Sequence, residues 1–565
     1  MSSDLRVWQQ QALTKYLDTK PHDFLAVATP GAGKTTFALK VATELKTRRT
    51  VDRIIVVVPT EHLKVQWSEA AARVGLSLDP AFKNTDAINP QYDGVVVTYA
   101  QVAMHPYKHY AITTAKRSLV ILDEIHHGGD AKSWGDGIRE AYQDATRRLA
   151  LTGTPFRSDD STIPFVRYAE DGEGHLVSQA DHTYGYSDAL ADGVVRPVVF
   201  LAYSGEARWR TSAGEEFAAR LGEPLNAEQT ARAWKTALDP QGDWIPAVLR
   251  AAHTRLHQLR KTIPDAGGLV IATDKTTARA YAKILAKLAT TPVSVVLSDE
   301  AGASERIEKF AGSTDEWMVA VRMVSEGVDV PRLAVGVYAT SASTPLFFAQ
   351  AIGRFVRSRR PGETASVFLP SVPVLLDLAA KLEVSRDHVL GKPHRETGGW
   401  DDELLAEANK RETEADQLKT YESLGAEAEL DTLIYDGSSY GTATVAGSSE
   451  EADYLGLPGL LDAEQMRQLL RKRQEEQLNV REREAKQEQE ARSSQGRKDA
   501  EERLASQEIP QLRKELNALV AITASRTGRP HGSIHTEARQ KCGGPPTAMC
   551  SAEQLRERIN YLRRW

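Results

Sequence analysis

The stretch that decides the fold reads Phe24-Leu25-Ala26-Val27-Ala28-Thr29-Pro30-Gly31-Ala32-Gly33-Lys34-Thr35-Thr36. Its apolar start predicts a buried strand, and the amphipathic stretch Thr35–Leu45 predicts a helix. Between them, Gly31 and Gly33 allow backbone N–H groups to turn inward around phosphate oxygens, and the helix N-terminus adds its dipole. The predicted phosphate-binding loop comprises Thr29, Pro30, Gly31, Ala32, Gly33, Lys34, Thr35 and Thr36.

Two side chains of this loop, and two more along the chain, have the chemistry of phosphoryl transfer. Lys34 is expected to reach the β- and γ-phosphates, and Thr35 to offer its hydroxyl to Mg²⁺. A second apolar run ends in Asp123-Glu124-Ile125-His126. There Asp123 can hold Mg²⁺ opposite Lys34, and Glu124 can polarise an attacking water. ATP and Mg²⁺ are therefore the predicted cofactors, with Thr35 and Asp123 as metal ligands.

The chain around both motifs alternates β-branched apolar runs with amphipathic stretches, which predicts α/β architecture with parallel sheets. The first block of predicted strands comprises Phe24–Thr29, Ile54–Pro59, Gly94–Thr98, Ser118–Asp123 and Arg148–Thr152. The second block comprises Gly268–Thr273, Val293–Ser298, Trp317–Val321, Val335–Ala339 and Ala365–Leu369. Two sheets of the same kind are therefore expected.

The remaining segments differ in character. Residues 196–250 lack a clear strand rhythm and predict a connector with helices. Residues 401–431 hold 11 Asp+Glu against 3 Lys+Arg, which favours an acidic helix, and the Gly/Ser/Thr-rich stretch 436–450 is typical of a linker. A long polar helix or partial coiled coil and a basic helical domain follow. The predicted boundaries are 1–195, 196–250, 251–398, 399–461, 462–507 and 508–565.

Composition limits the class of protein. A chain of 565 residues with 41% hydrophobic content can bury several cores, and its two cysteines exclude a disulfide-stapled module. It contains no run of about 18 apolar residues, so a polytopic membrane protein is excluded. Because residues 1–6 lack the apolar core of a signal peptide, the protein is expected in the cytoplasm, without a membrane partner.

Further motifs occur in a fixed order. They are Arg6-Val7-Trp8-Gln9, Pro59-Thr60, Thr98-Tyr99-Ala100-Gln101, Thr152-Gly153-Thr154-Pro155, Ser325-Glu326-Gly327-Val328-Asp329-Val330-Pro331 and Gln350-Ala351-Ile352-Gly353-Arg354-Phe355-Val356-Arg357. The series, spread over about residues 5–370, resembles superfamily 2 helicases, nearest the DEAH-like branch that includes XPB-type helicases and type III restriction motor subunits. The resemblance implies two RecA-like domains with ATP in the cleft between them, followed here by a mainly helical C-terminal extension.

The resemblance also implies roles for single residues. Gln9 looks like the adenine-reading glutamine, and His126, Thr152 and Thr154 match positions that couple hydrolysis to strand movement. The face contributed by the second domain matches Gly327, Asp329, Gln350, Arg354 and Arg357. The candidates for contacts with a nucleic-acid backbone are Thr60, Thr98, Tyr99, Thr273 and Ser325. Taken alone, each of these five fits a plain capping or turn role equally well.

Chemistry supports the two arginines independently of the resemblance. Hydrolysis spreads negative charge over the γ-phosphoryl group, and an arginine delivered across a cleft stabilises that charge. Arg354 and Arg357 lie three residues apart, a spacing that predicts one shared helical face. Both arginines are therefore predicted to be catalytic together with Lys34, Asp123 and Glu124, and the resemblance adds His126 and Gln350 to this set.

The leading hypothesis is an ATP-dependent DNA helicase or translocase that steps along a strand bound across both domains. Phosphate contacts do not distinguish DNA from RNA, and DNA is favoured only by the similarity of the motif context to DNA-acting members. The alternatives are a duplex-tracking remodeller that separates no strands, an RNA helicase, and a nucleotide-switched scaffold whose C-terminal helices recruit a protein partner.

The C-terminal block 508–565 has 10 Lys+Arg against 5 Asp+Glu, an excess that suits either a nucleic-acid patch or a solvated helical domain. The patch would comprise Arg526, Arg529, Arg539, Lys541, Arg556, Arg558, Arg563 and Arg564. His531, His535, Cys542 and Cys550 offer zinc-ligand chemistry, but the cysteine spacing is wider than usual. Zinc binding there stays open.

Overall fold

The computed structural model describes residues 5–126, 132–153, 162–170, 176–211, 216–223, 225–297, 302–321, 330–360, 362–382, 389–390, 421–435, 438–458, 465–477 and 501–565, with residues 460, 479 and 483. They form two compact units. The first comprises the described residues up to Val195 and the strand Val389–Leu390, and the second comprises the other described residues.

The first unit is built on a parallel sheet. Its strands are β1 (Asp23–Ala28), β2 (Arg53–Val58), β3 (Leu78–Asp79), β4 (Gly94–Thr98), β5 (Ser118–Asp123), β6 (Arg147–Thr152), β7 (Arg167–Glu170), β8 (Leu176–Gln179) and β9 (His182–Tyr184). Its helices are α1 (Val7–Thr19), α2 (Lys34–Thr47), α3 (Glu61–Arg73), α4 (Tyr99–Met104), α5 (Pro106–Thr114), α6 (Lys132–Tyr142) and α7 (Tyr186–Ala191). Seven strands pair in the order β3-β4-β2-β5-β6-β1-β9, all in parallel, while β7 and β8 join Val389–Leu390 in a small antiparallel sheet.

The strand order of this sheet positions the predicted site. Strands β2, β4 and β5 consist almost wholly of Ile, Val and Leu, which are buried on both faces as a parallel sheet requires. Because β5, β6 and β1 are neighbours, their carboxyl ends meet at one edge. Asp123, Thr152 and Thr29 therefore lie at the same edge, where ligands bind in open α/β sheets.

The second unit has a mixed sheet. Its strands are β10 (Val198–Thr211), β11 (Glu216–Leu221), β12 (Gly267–Ala272), β13 (Ser294–Val296), β14 (Trp317–Val321), β15 (Leu333–Ala339), β16 (Ala365–Pro370), β18 (Tyr421–Ala426), β19 (Glu429–Tyr435) and β20 (Ser438–Val445), with Val389–Leu390 of the first unit counted as β17. Its helices are α8 (Ala227–Ala237), α9 (Trp244–Arg260), α10 (Lys275–Leu285), α11 (Ala303–Ala311), α12 (Pro345–Ile352), α13 (Pro373–Ala380), α14 (Ser449–Leu455), α15 (465–477), α16 (Glu501–Thr527), α17 (His531–Cys542) and α18 (Ala552–Leu562). The strand order is β13-β14-β12-β15-β16-β10-β19-β20, and β11 and β18 also pair with β10.

The predicted fold class, two RecA-like α/β domains followed by C-terminal helices, is confirmed. Both blocks of expected strands form, and the strands from β13 to β10 run parallel. The expectation of a strand-free connector at 196–250 is wrong, because β10 lies in the middle of the second sheet. Its first half is buried on both faces, and its second half alternates buried Ala207 and Trp209 with the more exposed Arg208 and Arg210.

The expected acidic helix and linker also need correction. In their described part, residues 421–445 form β18, β19 and β20, which extend the second sheet through antiparallel pairing with β10. Acidic residues conceal the strand pattern, because Asp431 of β19 is buried and hydrogen-bonded to Ser371 at 3.2 Å. The threonines of β20 are β-branched and buried, which suits a strand better than a linker.

The C-terminal helices α16, α17 and α18 pack around a shared apolar core, and the predicted capping box of Ser551 and Gln554 opens α18. Of the predicted long polar helix, 465–477 and the part from 501 onward are helical, and residues 484–500 lie outside the described residues. Helix α16 packs directly on β20. Among the described residues, no helix has both the length and the apolar content that crossing a bilayer requires.

The contact between α16 and β20 depends on Gly441, since a Cβ there would lie 2.5 Å from Ala521 Cβ. We expect Gly441→Ala to lower the free energy of unfolding by about 1–3 kcal/mol through overpacking. Gly532→Ala is the matched control, because a Cβ on that helical residue meets nothing within 4 Å. Thermal unfolding of both variants checks the prediction. Equal melting temperatures of Gly441→Ala and Gly532→Ala would show that helix α16 shifts to accommodate the added methyl group at no cost.

Candidate nucleotide and nucleic-acid site

The phosphate-binding loop joins β1 to α2 as predicted. Gly31 and Gly33 both adopt left-handed backbone conformations, with φ of 81° and 92°. Gly33 caps α2 on its N-terminal side, and a Cβ there would lie 2.7 Å from Gln9 Nε2. Only glycine therefore fits at this position without displacing Gln9.

Three residues at the start of α1, including the capping residue Arg6, fix the orientation of the loop by donating hydrogen bonds to the loop's carbonyl groups. Arg6 Nη1 donates to Gly31 O at 2.9 Å, Trp8 Nε1 donates to Ala32 O at 3.1 Å, and Gln9 Nε2 donates to Gly33 O at 2.8 Å. In a planar trans peptide the N–H points opposite to the carbonyl, so the N–H groups of Gly33 and Lys34 point away from α1. Such an arrangement of N–H groups at a helix N-terminus suits an anion.

Of these three residues, only Gln9 is predicted from the sequence to belong to the site, and Arg6 and Trp8 are not. The Gln9 amide is bonded within the chain at both ends, since its Oε1 accepts from the backbone N–H of Arg6 at 2.9 Å. A tryptophan so close to the loop in sequence could have indicated the contact of Trp8, because a buried indole needs an acceptor for its N–H. All three residues position the loop.

Lys34 and Glu124 form the centre of the site. Lys34 Nζ lies 2.8 Å from Glu124 Oε1 and also donates to Ala28 O at 3.2 Å. Glu124 Oε2 accepts from the backbone N–H of Gly153 at 3.0 Å. Burial would raise the pKa of Glu124, but the Lys34 ammonium outweighs it and holds the pKa below its usual range. The carboxylate therefore stays ionised while Lys34 is bound to it and can accept hydrogen bonds.

The backbone at Glu124 is itself unusual. Its φ of 47° lies in the left-handed region, which costs a non-glycine residue about 1–3 kcal/mol. Such conformations persist where the surroundings hold them, here through the Lys34 and Gly153 contacts. The two neighbouring carboxylates have different partners, since Asp123 accepts from Trp67 and Glu124 contacts Lys34 and Gly153.

Asp123 is held by a tryptophan that sequence reasoning did not assign to the site. Trp67 Nε1, on α3, donates to Asp123 Oδ2 at 2.8 Å, and both side chains are buried. Burial raises the pKa of Asp123, and the neighbouring Glu124 charge raises it further. Only the local position of Trp67 can be read from the sequence, because its partner lies 56 residues away.

His126 and Thr152 connect the ends of β5 and β6. His126 Nδ1 lies 2.9 Å from Thr152 Oγ1, and both residues are fully buried. His126 Nδ1 is also 3.7 Å from Glu124 Oε2, so a change at the carboxylate can be relayed to the histidine. Thr154, the other residue expected to couple hydrolysis to movement, lies outside the described residues.

The candidate strand-contacting residues have varied environments. Thr98 caps α4 by accepting from the Gln101 N–H at 3.2 Å, and Tyr99 is buried with its hydroxyl donating to Asp123 O at 2.9 Å. Both therefore have local structural roles. Thr60 precedes α3 without capping it through its side chain, and Thr273 follows β12 and is partly exposed. Ser325 lies outside the described residues.

The candidates in the second unit are only partly described. Gly327 and Asp329 lie outside the described residues, whereas Gln350 lies on α12. The expectation that Arg354 and Arg357 share a helical face is wrong, because α12 ends at Ile352.

Arg196 holds the segment between these two arginines. This side chain is buried, and its Nε donates to Phe355 O at 2.7 Å while its backbone N–H donates to Val356 O at 2.8 Å. Arg196 therefore positions the segment that carries both arginines. This role of Arg196 is not predicted from the sequence.

The chain's residues suit the predicted cofactors. The inward N–H groups and Lys34 provide positive charge for phosphates, and hydroxyl and carboxylate oxygens from Thr35 and Asp123 are ligands that Mg²⁺ prefers. Bound there, Mg²⁺ would neutralise phosphate charge. The buried carboxylate of Asp123, with its raised pKa, is a group that a cation would stabilise in its ionised form.

Two expectations for the C-terminal block change. Arg558 is buried and donates to Gly543 O at 2.8 Å and Pro545 O at 2.7 Å, so it is not part of an exposed basic patch. The zinc candidates His531, His535, Cys542 and Cys550 are all described, but their ligand atoms do not form a metal-binding cluster. His531 and His535 instead line a small polar cavity with Glu223, Asp431 and Asn517.

Comparisons with known proteins identify proteins that this chain resembles. Residues 2–157 match the family described as type III restriction enzyme, res subunit. The uncharacterized protein Rv2917 of Mycobacterium tuberculosis is 64% identical over 562 residues, which cover 99% of this chain and 92% of that protein. The DNA 3'-5' translocase XPB2 of Sulfurisphaera tokodaii is 24% identical over 63% of this chain and 79% of its own length.

Among solved structures, the ATP-dependent type ISP restriction-modification enzyme LlaBIII bound to DNA aligns with 66% of this chain and 28% of its own. That alignment has a TM-score of 0.44 and 17% identity. The sequence relatives, the motif series and the site at the edge of the first sheet all lead to one conclusion. The chain belongs to one family with Rv2917, and its res-subunit domain at residues 2–157 supports a helicase-like ATPase motor.

Proposed function

We propose that this protein is a DNA-dependent ATPase of the helicase or translocase type, acting in the cytoplasm. The observation that carries the proposal is the Lys34–Glu124 pair at 2.8 Å, next to Asp123 and the phosphate-binding loop. Hydrolysis of ATP is the reaction to which this group of residues is best suited.

Lys34 has two competing partners, the Glu124 carboxylate and the phosphate of a bound nucleotide. A γ-phosphate in the loop carries more negative charge than a carboxylate and competes for the Lys34 ammonium. Once Lys34 binds phosphate, Glu124 loses its cation and can accept a proton from an attacking water. The Gly153 N–H, 3.0 Å from Glu124 Oε2, keeps the carboxylate oriented during this exchange. ATP binding thus activates its own base.

Movement requires the second unit to respond to hydrolysis. We propose that Arg354 and Arg357, from the second unit, stabilise the transition state of hydrolysis. We propose that Gln350, Gly327 and Asp329 belong to the same nucleotide-facing surface of that unit. Loss of the γ-phosphate would then weaken the attraction between the units, and alternating closure would step a bound strand. Thr60, Thr273 and Ser325 are the proposed contacts to the strand backbone.

DNA is the proposed track because the XPB2 relative, 24% identical over 63% of this chain, is named as a DNA translocase. Because the same name says translocase, translocation without strand separation is a second candidate beside unwinding. Two substrates distinguish a helicase from a translocase: a fork with a labelled strand, and a duplex with a bound protein roadblock. Displacement of the roadblock without opening of the fork identifies a translocase. ATP-dependent fork opening identifies a helicase, and activity on neither rejects both.

The Trp67–Asp123 bond leads to a prediction about Mg²⁺. We expect Trp67→Phe to raise the Mg²⁺ concentration for half-maximal ATP hydrolysis by about tenfold, since residues that orient a metal ligand typically contribute 10–100-fold in affinity. The control is Trp209→Phe, whose buried indole N–H has no hydrogen-bond partner in the described part of the chain. Mg²⁺ titrations of both variants test it. An unchanged Mg²⁺ requirement in Trp67→Phe would contradict the proposed role of Asp123.

A further inference from the structure

A cluster of potential metal ligands lies in the second unit, separate from the nucleotide site. His253 and His257 are four residues apart on α9, so they share one face of the helix, and their ring centroids are 4.4 Å apart. Glu316, the residue before β14, completes the cluster. One ligand atom from each residue lies within 4.8 Å of the others, which no other group of His, Cys, Asp or Glu side chains achieves in the described part of the chain.

The spacing between His257 and Glu316 suits a tetrahedral ion. His257 Nε2 lies 3.3 Å from Glu316 Oε1. That distance is long for a hydrogen bond, but a tetrahedral Zn²⁺ with bonds of about 2.0–2.1 Å separates its ligand atoms by about 3.3–3.4 Å. Two imidazoles and one carboxylate are a donor set that zinc uses in proteins.

The surroundings hold the carboxylate in place. Glu316 is 2% exposed, and Thr290 donates to it twice, from its backbone N–H to Oε2 at 3.0 Å and from its hydroxyl to Oε1 at 2.6 Å. Hydrogen bonds of this kind orient metal ligands from outside the coordination sphere. The Glu316 backbone is fixed as well, since its N–H donates to Thr291 Oγ1 at 2.8 Å.

Two neighbouring groups compete with an ion. Trp317 Nε1 lies 3.3 Å from His253 Nδ1, a long contact that an ion would have to replace. Arg260 Nη1 lies 4.0 Å from Glu316 Oε1 and adds positive charge. Both contacts are weaker than a bond from zinc to a neutral imidazole or a carboxylate, so they lower the affinity of the cluster without excluding a metal.

We propose that His253, His257 and Glu316 bind Zn²⁺ and thereby join α9 to the start of β14. The His257 side chain is 45% exposed, so the fourth coordination position faces solvent and takes water. The site is distinct from the nucleotide site and does not depend on the proposed motor activity.

The test measures Zn²⁺ uptake by the full-length chain in excess Mg²⁺, by competition with a chromophoric chelator. We expect one tightly bound equivalent in the wild type and its loss in His257→Ala. Thr290→Val, which removes only the orienting hydroxyl, is expected to weaken binding about tenfold. His105→Ala is the matched control, an exposed histidine of the first unit, and should keep the equivalent.

A spectroscopic readout separates this site from adventitious binding to the protein's other histidines. Co²⁺ in a tetrahedral site gives visible absorption bands, and these should appear in the wild type and disappear in His257→Ala. Circular dichroism confirms that the exposed substitution leaves the fold intact. Equal Zn²⁺ uptake by wild type and His257→Ala, or no tight equivalent in the wild type, would overturn the proposal and leave a plain contact between His257 and Glu316.

Discussion

Glu124→Gln is expected to lower the rate of ATP hydrolysis by about 10²–10⁴-fold, the range that a positioned general base contributes. The amide keeps the size of the side chain and can still accept from the Gly153 N–H, but it cannot take a proton from water. Removing the carboxylate also frees Lys34 from its 2.8 Å partner. ATP affinity should therefore be unchanged or tighter while turnover falls, and single-turnover hydrolysis with equilibrium nucleotide binding measures both.

Glu69→Gln is the matched control for the loss of one negative charge, because Glu69 is exposed on α3 in the same unit. It should hydrolyse ATP at the wild-type rate. A Glu124→Gln protein that turns over within a few-fold of wild type would contradict the assignment of the base. Weakened ATP binding in that variant would contradict the competition between Glu124 and phosphate for Lys34.

Replacing both Arg354 and Arg357 by alanine is expected to lower turnover by about 10³–10⁵-fold, the contribution of an arginine that stabilises the phosphoryl transition state. Lys34 and the loop lie in the first unit, so nucleotide binding should be largely retained. The single variants Arg354→Ala and Arg357→Ala then show which guanidinium contributes more. Turnover numbers and nucleotide dissociation constants give the two quantities separately.

Arg250→Ala is the control, since Arg250 is an exposed arginine on α9 of the same unit. Arg196→Lys adds a test of positioning, because lysine cannot reproduce both the Phe355 carbonyl contact and the other guanidinium bonds. It should lower turnover with little change in nucleotide affinity. Normal turnover in the double arginine variant would remove the second unit from the chemistry.

Local sequence pattern was sufficient to predict the elements that short stretches encode. The phosphate loop, Asp123, Glu124 and most strands of both sheets belong to stretches where apolar runs end in glycine, hydroxyl or carboxylate residues. Contacts that join distant segments were missed. Trp67 reaches Asp123 across 56 residues, and Arg196 reaches Phe355 across 159, which no single-sequence spacing reveals.

The errors have a common physical cause. Strands β11 and β19 carry charged residues that find partners on folding, as Arg220 of β11 does with Glu429 of β19 and as Asp431 of β19 does with Ser371. An interpretation that assigns every charge to solvent mistakes such strands for connectors or helices. The same limit applies to Glu316, whose buried carboxylate meets two histidines from a helix that precedes it by more than 50 residues.

Nucleic acid is expected to stimulate ATP hydrolysis by this protein. The most direct measurement is steady-state ATP hydrolysis by the wild type and Glu124→Gln without nucleic acid and with single-stranded DNA, duplex DNA or RNA, each at two salt concentrations. We predict that DNA raises the wild-type rate more than RNA does, that salt weakens the effect through the loss of phosphate contacts, and that Glu124→Gln abolishes it. Hydrolysis that no nucleic acid changes would rule out a motor that is driven by nucleic acid.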